Sequence, residues 1–128
     1  MRYLTLEQRE GLQQQLEQRA QVLRAEIGAV LGASDQPHLA NHYEEVDDDA
    51  IADLEGSLDV AALERDIREL RAVRDALTRL HTGDYGVCAD CGEDIPFSRL
   101  HAMPHALRCT RCETQREFAS GGVARNSL

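Results

Sequence analysis

Cys88-Ala-Asp-Cys91, seventeen intervening residues, then Cys109-Thr-Arg-Cys112: these two pairs decide the fold, and they hold the only four cysteines of the 128-residue chain. Each short pair can present two thiolates from one tight turn, and the intervening loop lets the second turn fold back over the first. That is the spacing of a tetrahedral four-cysteine zinc site with Cys88, Cys91, Cys109 and Cys112 as ligands. The competing reading is two disulfides. Residues 1–33 are polar and charged, with no apolar core followed by a small-residue cleavage site, so the chain is expected in the reducing cytoplasm, where metal is favoured over disulfide. Four thiolates fill the coordination shell, whereas a catalytic zinc keeps a position open for water. The expected cofactor is therefore one structural Zn2+, whose binding energy substitutes for a core this segment is too short to build.

Composition sets the context around this site. Charged residues make up 29%, aromatics 4%, and Trp is absent, which suits long helices better than a thick globular core. No apolar run is long enough to cross a bilayer, so no membrane role is expected. The net charge of -9 is unevenly placed: from Arg24 to Arg65 there are eleven acids and no intervening basic residue. Elsewhere fourteen arginines face twelve acids. A negative segment of this kind repels phosphate, which argues against direct nucleic-acid contact there and favours a basic protein surface or a metal ion as its target.

Read from the start, Thr5 and Gln8 form a capping-box pattern that opens a helix of about 28 residues, roughly 40 Å long. Leu12, Leu16, Leu23, Ile27 and Val30 supply its apolar stripe. Residues 34–45 carry Ser34, Pro37 and Asn41 and read as the connection that turns the chain round. A short series, Ile51, Leu54 and Leu58, precedes a longer one, Leu63, Ile67, Leu70, Val73, Leu77 and Leu80. The phase slips between them, so a bend is expected over 56–62. Glu64 with Arg68 and Asp75 with Arg79 are i,i+4 pairs expected on the outer face, each contributing about 0.3 kcal/mol. Gly83 stands where a left-handed residue would end the helix.

These signals predict a mostly α fold. A long antiparallel two-helix coiled coil fills 1–83, with an acidic tip at about 34–50. A four-cysteine zinc-finger domain with a short C-terminal helix occupies 84–119, where Gly86 and Gly92 permit tight turns and Leu107 closes a small core under the metal. Residues 120–128 are read as a flexible tail.

Glu44, Glu45, Asp47, Asp48 and Asp49 place five carboxylates within six residues at the junction of turn and second helix. One or two would satisfy a helix dipole; five repel one another and suggest an external target. His101 and His105 precede the second cysteine pair but are not needed as ligands when four thiolates are in register. His38 and His42 read as exposed polar residues. No nucleophile–base arrangement, phosphate-binding glycine loop or HExxH helix is present, so an enzyme is not expected.

The run Tyr85-Gly-Val-Cys-Ala-Asp-Cys-Gly-Glu-Asp-Ile-Pro, followed by Arg99-Leu100, Ala102, Pro104 and Leu107 ahead of Cys109-Thr-Arg-Cys112, resembles the zinc finger of the DksA/TraR family of bacterial transcription factors. The preceding coiled coil and its acidic tip extend the likeness. In that family the coiled coil enters the secondary channel of RNA polymerase, and tip acids in the pattern Asp-x-x-Asp-x-Ala act near the catalytic magnesium. Here Glu45, Asp48 and Ala50, flanked by Asp47 and Asp49, keep that spacing as Glu-x-x-Asp-x-Ala. The resemblance thus implies a transcription regulator whose tip modulates initiation. Family members that act with the alarmone ppGpp carry basic residues where this chain has Ala72, Met103 and Glu113. Those departures speak against ppGpp cooperation, with Arg71, Arg74, Arg108 and Arg111 the nearby charges that could compensate. Two alternatives remain: a zinc ribbon binding nucleic acid through Arg99, Arg108, Arg111 and Arg116, and a coiled-coil protein-interaction module.

Overall fold

A computed structural model describes residues 3–34, 36–43 and 59–119. Among them are four α-helices, α1 (Leu6–Gly32), α2 (Val60–Thr82), α3 (Phe97–Ala102) and α4 (Thr110–Ala119), and a 3-10 helix over Pro37–Asn41. No strand is present among the described residues beyond an isolated antiparallel bridge between Val87 and Asp94. The mostly helical class expected from the sequence is therefore found. The tip residues Glu44, Glu45, Asp47, Asp48, Asp49 and Ala50, the series Ile51 to Leu58, and the tail over 120–128 lie outside the described residues.

The start of α1 is fixed by the anticipated capping box. The Gln8 amide donates to Thr5 Oγ1 at 3.0 Å, and the Thr5 amide donates to Gln8 Oε1 at 3.1 Å. These two bonds satisfy donors that the first turn leaves without helical partners. The described part of the second helix begins at Val60, inside the 56–62 interval where a bend was expected, with the Ala62 amide donating to Asp59 Oδ1 at 3.0 Å.

The chain divides into two compact units, each with segments from both long helices. Unit 2 spans Glu17–Arg74. Its α1 and α2 segments are antiparallel, since Arg19 near the beginning of the first pairs with Glu69 near the end of the second, Nε to Oε2 at 2.6 Å and Nη2 to Oε1 at 2.8 Å. Ala20, Leu23, Ile27 and Leu31 of α1 and Leu63, Ile67, Leu70 and Val73 of α2 are all buried in this unit. Each large side chain removed from water in this way contributes about 1.5–3 kcal/mol.

Two expectations are corrected in unit 2. Val30 is 37% exposed, and Leu31, at 0%, takes its place in the seam. At 3.6 residues per turn the step from Ile27 to Leu31 stays closer to the buried meridian than the step to Val30. The connection is also less polar in its packing than in its composition. Leu39 and Tyr43, both 6% exposed, are buried, while His38 and His42 are exposed as anticipated.

Unit 1 spans Met1–Leu16 and Asp75–Leu128. Leu12, Leu16, Ala76 and Leu80 join Tyr85, Ile95, Leu100 and Ala106 in its core, and Arg9 Nη2 donates to the Leu80 carbonyl at 3.2 Å. Here Ala76 is buried where the sequence pattern pointed to Leu77, which is only half-buried. Helix α2 ends at Gly83, whose φ of +91 is the left-handed conformation foreseen there; the Gly83 and Asp84 amides both donate to the Arg79 carbonyl, at 2.9 and 3.1 Å. Arg79 is not on the outer face. Its side chain is 12% exposed, 3.9 Å from Asp75, with Nε and Nη1 buried without hydrogen-bond partners. Burial pulls its guanidinium below the usual range, against the opposing pull of Asp75, Tyr85 and Asp84.

Candidate metal centre

The first cysteine pair is shaped by a backbone hairpin. The Ile95 amide donates to the Gly86 carbonyl and the Cys88 amide to the Glu93 carbonyl, both at 2.8 Å, while the Gly92 amide returns to the Cys88 carbonyl at 3.0 Å. Gly86 and Gly92 take φ of +85 and +75. At Gly86 a Cβ would touch the Tyr3 hydroxyl at 3.4 Å, an ordinary contact, so it is the backbone conformation that favours glycine. Below this hairpin, Tyr85 is fully buried and its hydroxyl donates to the Pro104 carbonyl at 2.8 Å.

The second pair is brought in by α3 and the loop after it. Leu100 is the buried residue of α3, and the Met103 amide closes that helix on the Arg99 carbonyl at 2.8 Å. The chain then passes Pro104 and Ala106 to reach Leu107, whose carbonyl accepts the Ala89 amide at 3.0 Å. That bond fastens the second pair's approach to the first pair's turn. Leu107 itself is half-buried; Ala106, 3% exposed, supplies the apolar contact expected of it. Cys109 precedes α4, with the Glu113 amide on its carbonyl at 2.9 Å, and Cys112 is the buried residue of that helix.

As a result the four sulfurs converge. All lie within 4.8 Å of one another, and Cys91 Sγ is 3.9 Å from Cys109 Sγ. A tetrahedral ion with metal–sulfur bonds of ~2.3 Å separates its ligands by about 3.8 Å. A disulfide needs about 2.05 Å, and none of the four cysteines is in one. The donor set fits zinc. Neither His101 nor His105 is part of the cluster.

The thiols differ in their hold on protons. Burial pushes Cys88 up, but bonds from the backbone of Cys91, Cys109 and Asp90 and from the Cys91 side chain outweigh it and bring the thiol down to about 6. Cys112 is pushed up to about 12, first by its hydrogen bond with the Cys109 side chain and then by burial. One thiol of the cluster thus ionises early, and another holds its proton more tightly. Exposed Arg111 is held above its usual range by hydrogen bonds to the Cys91 and Cys112 sulfurs, and its Nη2 is 4.0 Å from Glu93 Oε2. Sequence reasoning placed Arg111 among compensating charges and among the arginines of the nucleic-acid alternative, not at the sulfurs; its position immediately before a ligand cysteine was the available signal.

A hairpin and a helix start, each offering two thiolates to one point, define a four-cysteine zinc finger. Residues 83–118 match the prokaryotic dksA/traR C4-type zinc-finger family, in line with the sequence resemblance. The chain is 35% identical over 77 residues to the RNA polymerase-binding transcription factor DksA of Haemophilus influenzae, covering 60% of this chain and 53% of that protein. It is 30% identical over 89 residues to the protein of the same name from Escherichia coli K12, covering 70% of this chain and 58% of that one. The chain thus spans little more than half the length of these curated relatives. Its fold is similar to that of transcription factor DksA2 from Pseudomonas aeruginosa, with a TM-score of 0.63, 25% identity, and coverage of 92% of this chain and 89% of that one. No helix among the described residues is long and apolar enough to cross a membrane.

Proposed function

We propose that this protein is a transcription regulator that binds RNA polymerase. One structural zinc, held by Cys88, Cys91, Cys109 and Cys112, fixes the finger, and the coiled coil carries its acidic tip into the secondary channel to modulate initiation. The fold likeness to a DksA-type transcription factor over 92% of the chain is the observation that carries this reading. Two supports come from the residues. Paired antiparallel helices in unit 2 give a stiff element without bulk, as a narrow channel demands. The Glu45, Asp48 and Ala50 spacing, with Asp47 and Asp49 beside it, supplies carboxylates that can engage a magnesium ion or basic polymerase loops.

A zinc filled by four thiolates has no open position for substrate, so the metal is structural and the protein is expected to act by binding. Ala72, Met103 and Glu113 leave ppGpp without the basic contacts that cooperating relatives offer, so the effect on transcription is expected without the alarmone. Direct nucleic-acid binding through the finger is disfavoured by two of the four arginines it would use, Arg99 and Arg108, which are engaged within the protein. Arg99 Nε donates to the Arg108 carbonyl at 2.8 Å, and Arg108 Nε donates to Asp90 at 3.0 Å.

The test is retention on immobilised core polymerase together with in vitro transcription. Wild type should bind and alter initiation, and Asp48→Asn should keep binding while losing the effect. Failure of wild type to bind polymerase removes the proposal; an active Asp48→Asn protein removes the tip mechanism.

A further inference from the structure

Arg108 occupies an unusual place relative to the two cysteine pairs. It immediately precedes Cys109, yet its Nε lies 3.0 Å from Oδ2 of Asp90, the residue between Ala89 and Cys91 in the other pair. Its Nη1 is 3.9 Å from Oε1 of Glu113, which directly follows Cys112. Its own carbonyl accepts Arg99 Nε from α3 at 2.8 Å. The side chain is only 16% exposed, against 43% for Asp90 and 40% for Glu113. One guanidinium therefore links the turn of the first pair to both sides of the second, and its main chain is held independently from behind.

The physical need for such a link is plain. Four thiolates around a divalent ion leave a net negative site, and until the ion arrives nothing but local structure keeps the two pairs facing each other. The Ala89 to Leu107 backbone bond provides one tie. A charge-assisted hydrogen bond across the same gap adds a second, about twice as strong as a neutral one.

We infer that Arg108, through Asp90, is a positioning residue for the zinc site, holding the second cysteine pair against the first so that the four sulfurs are preorganised for the ion. The inference rests on the zinc reading above. It assigns a zinc-retention role to two residues outside the ligand set, and that role operates whatever the finger's macromolecular partner.

Zinc affinity and release measured by chelator competition on the full chain, with the cobalt-substituted spectrum alongside, provide the test. Asp90→Ala removes the acceptor from an exposed turn, and Arg108→Met keeps the buried stem; both leave all four ligands in place. Each should weaken zinc roughly tenfold at low salt and hasten its release, in line with the effect of removing a ligand's supporting partner. The double variant should be no weaker than either single one, because both remove the same bond. The loss should shrink in high salt, since the pair is partly exposed, and the cobalt bands should keep the positions of a tetrahedral four-sulfur site. Unchanged affinity in both single variants, or losses that add in the double variant, overturns the assignment. A wild-type chain that fails to take up one zinc refutes the metal reading itself, a separate outcome.

Discussion

Tyr85 and Pro104 are joined by a 2.8 Å hydrogen bond from a phenol with no exposed surface to a loop carbonyl nineteen residues on. The bond ties the hairpin of the first cysteine pair to the loop that delivers the second. Tyr85→Phe leaves the ring in place but strands that carbonyl, and should cost about 1–3 kcal/mol. Chemical denaturation of the zinc-loaded protein, compared with wild type, measures it.

Burial holds the Tyr85 phenol far above its usual range, with Tyr3 adding to the rise and Arg79 opposing it. The folded state therefore keeps a proton that the unfolded chain releases above pH 10, so this contribution to stability is complete below pH 10 and declines as pH rises beyond it. Phenolate absorbance should show one tyrosine resisting ionisation until the protein unfolds. Tyr85→Phe should abolish that resistant fraction.

The proton held by Cys112, near pH 12, against the early ionisation of Cys88, near pH 6, fixes the sign of the metal's pH dependence. Zinc must displace protons from the cluster at neutral pH, so affinity should rise from pH 6 to pH 8 with proton release on binding. Calorimetry in buffers of different ionisation enthalpy counts those protons. An affinity that stays flat across this interval contradicts the assignment.

The seam of unit 2 distinguishes neighbours. Leu31→Ala removes a fully buried side chain and should cost about 2–5 kcal/mol, whereas Val30→Ala on the exposed face should change stability by under about 0.5 kcal/mol. Thermal melts of the two variants report the phase of the helix directly. Equal losses would mean the stripe runs as the sequence pattern alone suggested.

What could be read from the chain, and what could not, follows from the range of the interactions involved. Thr5 with Gln8, Gly83 at the end of α2, and the two cysteine pairs are governed by neighbours a few residues away, and each is found as expected. The choice of Leu31 over Val30 depends on which meridian faces α2, and an apolar residue at either three or four steps satisfies the local rule. Ala20 and Ala76 are buried although their small side chains add little to an apolar stripe, so the sequence pattern did not mark them. Arg79 looked like a surface ion-pair member because Asp75 lies four residues back; tertiary packing around its stem decided otherwise. Leu39 and Tyr43 were hidden by polar neighbours in a segment whose turn geometry brings both inward.

Helix α4 has one buried residue, Cys112. Ten residues are too few to remain helical in water without support from outside the segment. The sulfur that completes the cation's shell is therefore also the mooring of this helix, so stripping the metal is expected to loosen Thr110–Ala119 as well as the cysteine turns.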